Sequence, residues 1–153
     1  MGCHDKITAE GKKFFKELEE LQKLQVRVGF QHGKEEDGNG ADMADVAMWN
    51  ELGTVRSPPR PFLRQSVDNN VDTIKAMCKT QLKEIAEGKK TAREALQAIG
   101  VTQKGLVQHT IRSGNFVANA PATVKKKKSD KPLIDTGRMR QSVNYVILGK
   151  GGD

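Results

Sequence analysis

Cysteine is scarce in this chain of 153 residues: Cys3 and Cys78 are too few for a disulfide scaffold. Cys3 sits beside the terminus, and Cys78 falls on the apolar stripe of an expected helix, where a free thiol behaves as a small hydrophobe. Nothing in this usage calls for an oxidising compartment. Aromatics are also scarce, with five Phe, one Trp and one Tyr, so aliphatic side chains and Met must fill most of the core. No run approaches the roughly 18 apolar residues of a membrane span, and the N-terminal segment lacks the apolar stretch of a signal peptide. The expectation is a protein made in the cytoplasm with no membrane partner.

Chemistry-bearing patterns are missing too. His4, His32 and His109 lie in three different settings, none with a Cys or His partner at a zinc spacing. No nucleophile elbow, P-loop or H-E-x-x-H occurs. Asp42 and Asp45 can be posed as paired carboxylates, but capping of a helix accounts for them more simply. No catalytic residue, metal or cofactor is expected.

What is present suits one domain over residues 1–153. The apolar fraction of 36% omits the 15 Gly; with them the chain approaches the ~45% lower edge of ordinary globular composition. Thr8 can cap a first helix over 1–24 with Phe14, Leu18, Leu21 and Leu24 at helical spacing. Val26, Val28 and Phe30 then alternate as a half-buried strand at the start of a core over 25–112. A polar loop from His32 to Gly40 leads to a short helix through Val46, Trp49 and Leu52, stopped by Gly53. After three prolines, Leu63, Val67, Val71, Ile74, Cys78, Leu82 and Ile85 form one long helical stripe ended by Gly88. Thr91 with Glu94 is a capping box for another helix with Leu96, Ile99 and Leu106 inward, and Thr110 or Ile111 as further inward candidates. Gly100 and Gly105 mark an approach to another backbone. The composition of 113–132 predicts a long flexible loop. Over 133–148 order returns: Asp135 or Thr136 caps a turn, and Val143, Tyr145 and Ile147 alternate as a last strand. The fold class is α+β, a small antiparallel sheet packed with a long helix and shorter helices.

Charge is unevenly spread. Lys and Arg number 26 against 19 Asp and Glu, a net +7. From Pro121 onward eight basic residues face three acidic ones, with Lys125, Lys126, Lys127 and Lys128 at the centre. Such a run can bind phosphate through charge alone, it can order against an acidic neighbouring subunit, or it can simply solvate a loop. Only Phe116 lies near it, so there are no interleaved aromatics for base stacking.

Two polar motifs remain. The first, Trp49-Asn50-Glu51-Leu52-Gly53-Thr54, is followed by Arg56-Ser57-Pro58-Pro59-Arg60-Pro61-Phe62-Leu63, whose prolines stiffen the connection and fix how the next helix departs. A polyproline ligand for a partner is the weaker alternative. The second is Pro132-Leu133-Ile134-Asp135-Thr136-Gly137-Arg138-Met139-Arg140-Gln141-Ser142-Val143, where Asp135 and Thr136 can meet orphan N–H groups and Gly137 permits a tight approach. Together and in this order, the motifs resemble those of the tail-completion and head–tail joining proteins of long-tailed bacteriophages and prophages, over roughly Val26 to Ile147. The resemblance implies a non-enzymatic virion component at the neck or tail that acts as a homo-oligomeric ring, often six-fold, against tail-tube or head-connector proteins. By position, Arg60, Pro61, Phe62 and Leu63 would organise the core or an interface, and Trp49, Asn50, Gly53 and Pro59 of the same motif are further structural or interface candidates. Asp135, Thr136, Gly137 and Arg138 would orient the returning chain. Assembly in the host cytoplasm and then residence in the virion follow from the same resemblance. A nucleic-acid-binding module that contacts DNA through the lysines is the alternative.

Overall fold

The computed structural model describes residues 6–119, 121, 123, 125 and 137–151. Among them, six helices and one two-stranded antiparallel sheet follow in the order α1 (Ala9–Lys23), β1 (Leu24–Gly29), α2 (Met43–Leu52), α3 (Phe62–Asp68), α4 (Val71–Ala86), α5 (Ala92–Ser113), α6 (Arg138–Ser142) and β2 (Asn144–Gly149). The architecture is therefore α+β.

Local chemistry sets the starts of three helices. Thr8 Oγ1 accepts the N–H of Gly11, Asp42 Oδ1 that of Ala44, and Thr91 Oγ1 that of Glu94, each meeting an orphan donor of a first turn. Helix α5 is the axis of the molecule. Its 22 residues span about 33 Å and touch α1, α3, α4, α6 and both strands. Glu17 of α1 accepts the N–H of Ala92 at 2.7 Å and so ties the first helix to the start of α5.

The strands pair in the register Val26↔Ile147 and Val28↔Tyr145. Gly100 lets the sheet lie close on α5: a Cβ there would fall 2.6 Å from the Tyr145 ring and 3.1 Å from Val26. The close approach expected of this glycine is thus to side chains, whereas a Cβ added at Gly105 would meet nothing within 4 Å among the described residues. One core cluster joins Met43, Ala47, Phe62, Val107, Ile111, Met139 and Val143, and Val28, Phe30, Val46, Leu63 and Phe116 pack against it.

Three expectations are corrected. The single long helix from Leu63 to Gly88 is two, broken at Asn69 and Asn70, because Asn70 Nδ2 donates to the Ser66 carbonyl and competes with backbone continuation. With the axis reset, Phe62, Ser66, Gln81 and Ile85 are buried, while Val67, Val71, Cys78 and Leu82 of the predicted stripe are exposed. In α2 the inward face is Met43 and Ala47; Trp49 and Leu52 point outward. Within the expected loop, α5 continues to Ser113, residues 114–119 carry no regular structure, and Pro121, Thr123 and Lys125 are helical. Asp135, Thr136 and Lys126, Lys127 and Lys128 lie outside the described residues. Among the described residues no helix is long and apolar enough to cross a membrane.

Candidate functional site

The stretch from Trp49 to Leu63 is a braced turn. Gly53 donates its N–H to Trp49 O at 2.9 Å and turns with φ 77°, and an added Cβ would stand 2.7 Å from the Pro59 nitrogen. Both facts require glycine. Thr54 and Ser57 exchange backbone hydrogen bonds across the tip, and the Arg60 N–H returns to Asn50 O at 2.6 Å. Pro61 precedes α3 with no side-chain cap of its own. Glu51 supplies it from the other side of the turn, accepting the N–H groups of Leu63 (2.8 Å) and Arg64 (3.1 Å). Such an acceptor, twelve and thirteen residues before the N–H groups it serves, leaves no local sign in the sequence.

Arg60 is only 7% exposed. Its Nε donates to Val117 O at 2.8 Å and its Nη2 to Ala118 O at 3.4 Å, and no carboxylate pairs with it among the described residues. Burial pulls its pKa down from the ordinary value, though a guanidinium stays cationic at any physiological pH. The residue thus pins the chain at 117–118 to the proline turn, at the root of the basic segment. Arg60→Ala should cost about 2 kcal/mol, the scale of charged hydrogen bonds lost from a buried site. It should also make residues 114–119 the first point of limited proteolysis; unchanged stability and cleavage would refute the pinning role.

The second motif reaches the first. Gly137 turns with φ 80° immediately before α6. Among the described residues an added Cβ would meet nothing within 4 Å, and the left-handed backbone is what calls for glycine here. Arg138 Nη1 donates to Glu36 O at 3.3 Å, and Gln108 Nε2 to Arg140 O at 3.1 Å. Met139 is buried, with its sulfur 3.9 Å from Asn50 Nδ2, which also donates to Val46 O. Asn50, Arg60, Phe62 and Met139 are therefore held by one brace. Trp49 is not among them. With Met48, Leu52 and Val55 it stands outward, these four being 46%, 50%, 71% and 106% exposed in the order Trp49, Met48, Leu52, Val55. An open hollow runs beside them from Leu52 to Pro59. Lys125 is exposed.

Beside the brace, an acidic loop is organised by its own carboxylates. The backbone N–H groups of Ala41 and Asn39 hold the Asp37 carboxyl below its ordinary value, and those of Gly33 and Ala44 do the same for Asp42. His32 lies 3.3 Å from Asp42 and 3.8 Å from Asp45. A lowered folded-state pKa contributes stability that is complete above the unfolded value, near 3.8. That stability is lost as pH falls through the folded value. Carboxyl-carbon NMR should give both midpoints below 3.8, with the Gly33, Ala41 and Ala44 amides shifting in step. Midpoints at or above the ordinary value would contradict the bonding. Among the described residues no group of three or more His, Cys, Asp or Glu could hold a metal ion.

A comparison of the chain with family models, curated proteins and solved structures finds no match.

Proposed function

We propose that this chain is a non-enzymatic structural protein of a long-tailed bacteriophage or prophage virion, completing the tail or joining it to the head by assembling as a ring. The carrying observation is the rigid turn from Trp49 to Leu63. Gly53, Pro59, Arg60 and Glu51 brace it, and the brace holds Met48, Trp49, Leu52 and Val55 out in water. A group of exposed apolar side chains, close in sequence on a stiff support, suits contact with another protein, and it lies in the segment that resembles those of tail-completion proteins. Its partners would be further copies of the chain, in a closed ring such as a hexamer, and tail-tube or head-connector proteins. The site of assembly would be the host cytoplasm, and the final location the virion.

Mass measured by sedimentation across a concentration series, with negative-stain electron microscopy, tests the reading. A discrete species with rotational symmetry is the expected result. A strict monomer at every concentration, even with tail tubes purified from the phage or prophage that carries the gene, would overturn it. So would tight low-salt binding of nonspecific duplex DNA that is lost on changing Lys125, Lys126, Lys127 and Lys128 to Ala, since that behaviour belongs to a nucleic-acid module.

A further inference from the structure

Among the described residues the two-stranded sheet has two open edges, and its ladder shows which peptide groups lie along them. Lys150 donates its N–H to Lys23 O at 2.7 Å, one step beyond the Leu24↔Gly149 pair. Directly bonded and non-bonded pairs alternate in an antiparallel ladder. Gln25 with Leu148, Arg27 with Val146 and Gly29 with Asn144 are therefore the bonded pairs. The peptide groups of Val26, Val28, Tyr145 and Ile147 point away from the partner strand. Asn144 Oδ1 accepts the Tyr145 N–H at 2.9 Å. The N–H and C=O groups of Val26, Val28 and Ile147 have no hydrogen-bond partner among the described residues.

These edges also lack the features that usually discourage pairing. Leu24–Gly29 and Asn144–Gly149 contain no Pro, Lys or acidic residue, carry Arg27 as their one charge, and pair without a bulge. Sheets that stay solitary use such devices on their edges. The β1 and β2 edges match in length, six residues each. Val26 and Tyr145 lie on the α5 face of the sheet, with Val28 and Ile147 on that same face by alternation.

We infer that the β2 edge of one copy pairs with the β1 edge of a second copy of this chain, so that the sheet runs on from subunit to subunit. The pairing sets aromatic and branched side chains beside one another across the join, a favoured combination. Each copy offers one edge and receives at the other. The contact is therefore heterologous, and a chain of such contacts closes when the rotation between copies allows it. The inference rests on the ring reading and deepens it by naming the surface that joins the copies. A two-fold contact between two β2 edges would leave the β1 edge bare.

Residue-resolved hydrogen exchange on the full chain, dilute and concentrated, tests this. In the dilute monomer the Gln25, Arg27, Val146 and Leu148 amides should be protected, and those of Val26, Val28 and Ile147 should exchange freely. On assembly the last three should slow together, by at least about tenfold. Protection at one edge only would overturn the inference in favour of a two-fold dimer. Assembly with all three amides still exchanging freely would overturn it while leaving the ring standing. A chain that stays monomeric alone overturns the self-pairing, whereas the ring falls only if tail tubes also fail to assemble it.

Discussion

Phe62→Ala is expected to lower the free energy of unfolding by about 4 kcal/mol, measured by urea denaturation with fluorescence and circular dichroism. The side chain is fully buried and meets Phe30 edge to face at 5.9 Å and 86°. It packs with Met43 and Ala47 of α2 and with Val107 and Ile111 of α5. Its loss removes the transfer term of a whole ring and leaves a void between elements that cannot easily close, because the turn before it is braced at Gly53 and Glu51. Against the 5–15 kcal/mol typical of a domain, about 4 kcal/mol is a large share. A control separates burial from aromatic content: Phe15 on α1 is 53% exposed, and Phe15→Ala should cost well under about 1 kcal/mol. A loss below about 1 kcal/mol at Phe62 would mean that this cluster is not the core.

Gly100→Val should cost about 3 kcal/mol. A Cβ at this position would lie 2.6 and 2.7 Å from two atoms of the Tyr145 ring, so the sheet must lift from α5 or the ring must leave its place. Glycine inside a helix is normally worth replacing, by up to about 1 kcal/mol for Ala, and the steric term here should reverse that sign. Gly105 lies five residues on in the same helix, and an added Cβ there meets nothing within 4 Å. Gly105→Ala should therefore stabilise by a few tenths to about 1 kcal/mol. Tyr145→Ala combined with Gly100→Val should recover part of the loss, since the two changes share one contact. Additive losses would remove the ring from the explanation.

Features that depend on nearest neighbours are legible in the residues themselves. The caps at Thr8, Asp42 and Thr91 are short-range chemistry, and the alternation in Leu24–Gly29 and Asn144–Gly149 is a period of two that a strand must show. Arg60 and Phe62, which the resemblance alone places at a core or an interface, are buried. What is illegible depends on distance or on cover. The stripe from Val67 to Leu82 has helical spacing, yet periodicity states which residues share a face and not whether the same chain covers that face. The buried positions nearby, Ser66 and Gln81, are polar and are admitted because Leu63 O, Gln103 and Lys90 meet their hydrogen-bonding groups. Glu51 capping α3, and Asn50 beside Met139, join residues whose relation exists only after folding. In the candidate site, Trp49 belongs to the motif, but its outward position comes only from the way α2 is rolled in the fold.

The sheet joins residues 24–29 to residues 144–149, almost the full reach of the described chain. A growing polypeptide therefore exposes β1 long before its partner strand exists, and loop-closure entropy must be met before that pairing returns anything. The early part has company meanwhile, since Glu17 and the start of α5 can dock α1 as soon as residue 92 is made. The sheet cannot complete until residues 144–149 are made, so nascent chains crowded on one messenger would present half-built edges to one another. Unpaired strand edges of this kind are prone to misassociation until the fold is complete.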